Sequence, residues 1–290
     1  MEASATEKTT EQYSKSQSVL VAVGLAIVPL FLGAIVNYVY SPYGLHRAPS
    51  GIEYIGSGIA YYALVLGLVA VFLRTSGWGQ QYLDVRLPRG RTWLWTGGGV
   101  IAIVAVLILF GTLTTMLDLP VAENNILTPL LEQSIEDDLS LSTVTLATLL
   151  LVVVIVPPVE ELLHRNLIQK LLGEQLSPAG AIGGASLLFA LGHIPAYYSP
   201  TLSATAVALI LTFLGGVVFG VVYHATENLV AATIVHAFLN LLGFLPIYPG
   251  VWRSQKPYSR LGEIHGASPV GEGLLDSTQA LVRMSFTING

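Results

Sequence analysis

Of the 290 residues, 53% are hydrophobic and only 11% are charged, against about 25% charged in soluble domains; with a mean hydropathy of +0.67 the chain reads as an integral membrane protein. The formal net charge of −5 leaves no basic stripe to neutralise phosphates, so nucleic acid is not an expected partner. With no cysteine, disulfides, a thiol nucleophile and thiolate metal sites are excluded.

Residues 1–17 form a polar N-terminal tail of mixed charge. The apolar run after it is too long for a signal-peptide core and lacks a small-residue cleavage site, so it reads as a retained transmembrane helix. Seven apolar stretches follow one another at about 18–40, 53–73, 93–116, 142–172, 178–198, 202–223 and 228–248. Each is near the roughly 20 residues that a spanning helix needs. The expected fold class is all-α: a polytopic helical membrane protein with about seven transmembrane helices. Its expected parts are the tail, helices 1–3 with an acidic loop (18–141), a helical core (142–248) and a C-terminal tail (249–290).

Lys and Arg placement suggests orientation. Arg74, Arg86, Arg89 and Arg91 lie between helices 2 and 3, whereas the segment before helix 4 carries Glu132, Glu136, Asp137 and Asp138 and no Lys or Arg. A cytoplasmic basic segment puts the N-terminus inside. Arg253, Lys256, Arg260 and Arg283 in the C-terminal tail run against an outside C-terminus. The fourth stretch is long, and Pro157-Pro158 within it predict a bend and carbonyls without donors one turn earlier. Gly183, Gly184, Gly215, Gly216 and Gly220 suit close helix–helix packing.

The 114 residues from Leu139 to Trp252 hold six charged side chains, three of them in Glu160-Glu161-Leu162-Leu163-His164-Arg165. A charged side chain in hydrocarbon costs at least about 2.5–3.5 kcal/mol, so its retention points to function. Neighbouring glutamates on a helix point about 100° apart. Glu161 precedes Arg165 by four residues, the favourable order for an ion pair, which leaves Glu160 for other work. His193 and His236 lie in separate apolar runs without acids or bases, and Asn240 shares a helix face with His236. His164 shares a face with Glu160 and could join the site, but is expected near the interface, as is His224 beside Glu227. A carboxylate and an imidazole can deprotonate water, while a second imidazole and an amide can donate to an oxyanion. Glu160, His193 and His236 could equally hold a divalent metal such as zinc with an open position for water. No HExxH, GxSxG or GxxxxGK[ST] motif is present.

Glu160-Glu161-x-x-x-Arg165, Phe189-x-x-x-His193 and His236-x-x-x-Asn240, in that order over residues 142–248, resemble the CPBP/Abi family of intramembrane proteases, which includes the type II CAAX prenyl endopeptidases. The resemblance implies that Glu160 activates water with His193, that His236 and Asn240 stabilise the oxyanion, and that Glu161, Arg165 and Phe189 support them. It implies a membrane-associated protein or peptide substrate, a lipid bilayer around the chain, and a hydrolase needing no cofactor unless a metal is bound. The expected location is multi-pass in the plasma membrane of a prokaryote. Two other readings stay open: a proton-coupled transporter, and a non-proteolytic immunity or scaffold protein of the same fold.

Overall fold

A computed structural model describes residues 14–40, 51–122 and 143–243, and no strand occurs among them. The acidic segment before helix 4, nearly all of the N-terminal tail and the whole C-terminal tail lie outside the described residues. The helices are α1 (Lys15–Tyr40), α2 (Gly51–Thr75), α3 (Arg91–Met116), α4 (143–173), α5 (Pro178–Gly192), α6 (Leu202–Thr226) and α7 (Leu229–Gly243). Five of these, α1 to α4 and α6, are long and apolar enough to cross a membrane. α5 and α7 are apolar but 15 residues each, about 22 Å of helix against roughly 30 Å of hydrocarbon. Among the described residues, five helices are thus of crossing length and two are shorter, α7 being described only to Gly243. α5 stops short of the expected 198 because Gly192 ends it and Pro195, which has no N–H, starts the separate turn Ile194–Tyr197.

α4 changes pitch twice, with π-helical turns at Leu151–Ile155 and Leu162–Gln169. The proline pair accounts for the first. Val156 N–H donates to Leu151 O, five residues back, so it no longer serves Val152 O, and the next candidate donor, Pro157, has no N–H. The freed Val152 carbonyl accepts from Asn240 Nδ2 on α7 at 2.9 Å. A broken ladder in one helix thereby fixes the position of another.

The second π-helical stretch runs through the middle of the bundle, and every residue from Leu163 to Gln169 is buried. Leu163, Leu167 and Leu171 join Ala22, Leu25, Val65, Val69 and Ala185 in one apolar cluster. Ile103, Phe189, Phe219, Val222, Ala231 and Val235 form a second. Close approach depends on glycine: a Cβ at Gly220 would lie 2.8 Å from Gln169 Oε1, 3.0 Å from Ile182 Cγ2 and 3.3 Å from Arg165 Nη1. Gly220→Ala is therefore expected to cost about 1–3 kcal/mol through overpacking, read as a lower melting temperature in detergent. Gly183, by contrast, has open space where a Cβ would go, so packing does not require glycine there.

The basic segment between α2 and α3 is docked, not free. Asp84 Oδ2 meets Lys170 Nζ at 2.7 Å and accepts from Tyr223 Oη at 2.6 Å. Asp84 N–H donates to Asn166 Oδ1 at 2.9 Å, and Asn166 Nδ2 donates to Tyr82 O at 2.8 Å. Arg86 Nη2 donates to the carbonyls of Thr226 and Glu227 at 3.2 and 2.8 Å. One end of α4 and α6 is thus tied to this segment, and α4's register is set by it.

Candidate active site

The two glutamates of α4 face different neighbours, as their spacing requires. Glu161, fully buried, pairs with Arg165 Nε at 3.0 Å. Its other oxygen accepts from His236 Nδ1 at 2.8 Å, a link that sequence reasoning missed. Arg165 also donates through Nη1 to Ser186 Oγ at 3.3 Å and lies 5.5 Å from the centre of the Phe189 ring. Glu161 therefore bridges Arg165 on α4 to His236 on α7.

Glu160 is 16% exposed. Its Oε1 accepts from Tyr62 Oη of α2 at 2.8 Å, whereas Oε2 is buried and has no hydrogen-bond partner among the described residues. Buried carboxylate oxygens are rarely left so. Two imidazole nitrogens converge on that oxygen: His236 Nε2 at 3.8 Å and His193 Nε2 at 4.0 Å. Both separations are too long for direct hydrogen bonds and suit one bridging water.

The ring tautomers follow from their partners. His193 Nδ1 lies 2.8 Å from Phe189 O, and a carbonyl only accepts, so Nδ1 carries the hydrogen and neutral His193 turns a bare Nε2 toward Glu160. His193 ends α5 at φ −91°, ψ 0°, a backbone region where active-site residues recur. Its side chain, 25% exposed, is more open than that of His236, at 4%.

His164 lies inside the bundle. It is 8% exposed, because α4 stays inside the bundle to about Lys170, and its Nδ1 donates to Glu160 O at 2.9 Å. Phe189 packs against all three imidazoles, with ring centroids 5.0 Å from His164, 4.5 Å from His193 and 5.7 Å from His236. Phe219 stacks on His236 at 4.6 Å. These rings hold the imidazoles in place without competing for their nitrogens. His224, at the exposed end of α6, takes no part. Asn240 shares α7 with His236, and the hydrogen bond it makes is the one to Val152 O.

Glu160, His193 and His236 are the donor types zinc uses, but tetrahedral ligands at about 2.0–2.1 Å stand only about 3.3 Å apart. The 3.8 and 4.0 Å separations are wider. Among the described residues no group of three or more His, Cys, Asp or Glu side chains is placed to hold a metal ion. As positioned, these side chains are too widely spaced for a tetrahedral zinc site.

Residues 142–242 match the model of a family described as Rce1-like, the type II CAAX prenyl endopeptidases. The match supports a membrane protease in general terms, runs from the start of α4 into α7, and includes Glu160, Glu161, Arg165, Phe189, His193, His236 and Asn240. Helices α1 to α3 lie outside it. No curated protein and no solved structure matches the chain.

Proposed function

We propose that the chain is an intramembrane endopeptidase that hydrolyses a peptide bond of a membrane-associated protein, a prenylated CAAX-type protein being the leading substrate class. One observation carries the reading: a buried carboxylate oxygen of Glu160, unbonded among the described residues, with the Nε2 atoms of His193 and His236 at 4.0 and 3.8 Å.

A water in that space donates one hydrogen to Glu160 Oε2 and one to His193 Nε2, which aims an oxygen lone pair at the scissile carbonyl carbon. Glu160 takes the proton as the new C–O bond forms. The oxyanion needs donors, and two stand on α7. His236, its Nδ1–H held by Glu161, donates through Nε2 when it carries both ring hydrogens. Asn240 keeps a second amide hydrogen beyond the one given to Val152 O. The proton then passes from Glu160 to the departing nitrogen as the C–N bond breaks, releasing an amine and a carboxylic acid, which loses its remaining proton to solvent.

Purified protein in liposomes, given a prenylated reporter peptide, tests this. His193→Ala is expected to lower kcat about 10²-fold, the low end for loss of a positioned proton acceptor. A strong chelator is expected to leave the parent rate unchanged. A chelator-induced loss restored by added zinc, or parental turnover by His193→Ala, would reject the mechanism.

A further inference from the structure

Three helices outside the family match surround the catalytic core, and one of them reaches into the site. Tyr62 on α2, 98 residues before Glu160, donates its hydroxyl to Glu160 Oε1 at 2.8 Å. Gly58, one turn earlier on the same face of α2, makes this approach possible. A Cβ there would lie 2.7 Å from Leu151 Cδ2 on α4, and Leu151 is itself buried. Tyr61, beside Tyr62, packs edge-on against its ring with centroids 4.9 Å apart and limits its swing. Because Oε1 is occupied, Oε2 is the oxygen left to face His193 and His236.

From this geometry we infer that Tyr62 is a positioning residue for Glu160: it fixes the carboxylate's rotation so that only Oε2 can take the proton of the attacking water. The inference rests on Glu160 acting as the base proposed above. Tyr62 does not touch the reacting atoms, so its effect falls on turnover and not on substrate binding. α2 is then part of the active site and not merely packing around it. A hydrogen bond to a charged acceptor that orients a catalytic group corresponds to about tenfold or more in rate.

The test compares reconstituted parent, Tyr62→Phe, a protein with 3-fluorotyrosine at position 62, and Glu160→Gln. Tyr62→Phe is expected to lose kcat about tenfold or more while KM stays within about twofold. Fluorotyrosine, which keeps the hydroxyl, is expected to restore kcat. The infrared carboxylate band that disappears in Glu160→Gln is expected to move in Tyr62→Phe, a readout that needs no substrate. An unchanged kcat with an unmoved band, a loss confined to KM, or a loss that fluorotyrosine does not restore would overturn the inference. Should Tyr62→Phe fail to fold, the band in the fluorotyrosine protein decides, because a stronger donor must shift it if the bond exists. Parental kcat in Glu160→Gln would instead remove the base assignment, and the band would still report whether Tyr62 holds that carboxylate.

Discussion

Glu160→Gln is expected to lower kcat by about 10³-fold, within the range for loss of a general base, with little change in KM or melting temperature. Gln keeps an oxygen that can accept from Tyr62, which now bonds Glu160 Oε1 at 2.8 Å, and it fills the same space. What it lacks is a charged oxygen able to take a proton where Oε2 stands between the two imidazoles. Initial rates and thermal unfolding of parent and variant in the same detergent separate chemistry from folding. A variant that unfolds early would mean that the carboxylate holds the bundle together, contrary to its single hydrogen-bond partner among the described residues, Tyr62.

The second large effect is structural. Arg165→Met is expected to destabilise the protein by about 3–5 kcal/mol, because it strands Glu161 without its counter-charge; Glu161 has no exposed side-chain surface and Arg165 Nε is 3.0 Å away. The pair is not expected to be stabilising in itself. Replacing both members, Arg165→Met with Glu161→Gln, is expected to recover much of the lost stability, since buried ion pairs exchange well for neutral groups of similar volume. Activity is not expected to return with it, because His236 loses the carboxylate that holds its Nδ1 at 2.8 Å. Denaturant titration and reporter cleavage on the single and double variants resolve the two expectations.

Local chemistry made part of this legible in sequence. The long apolar runs that became α1 to α4 and α6 carry their own length signal. The Glu161–Arg165 contact follows from four-residue spacing, and the donorless carbonyl one turn before Pro157-Pro158 follows from their missing N–H groups, though the π-helical form of that turn does not. Contacts between distant helices were not legible. Nothing in an apolar α2 marks Tyr62 apart from its neighbours, and nothing near Asp84 shows that it will meet Lys170 and Tyr223. The burial of His164 was not legible for a related reason: helical periodicity gives a face, but not how far the bundle wraps that helix. The end of α5 was not legible either: composition counts apolar residues, whereas Gly192 and Pro195 decide where that helix stops.

The most direct measurement is a single-turnover cleavage of a prenylated, membrane-anchored reporter in H₂¹⁸O, with enzyme in excess and products read by mass spectrometry. The account predicts one ¹⁸O in the newly formed carboxylate with the parent protein, and no product over the same interval with Glu160→Gln. Product without the label, or labelled product formed by Glu160→Gln at the parental rate, would contradict it.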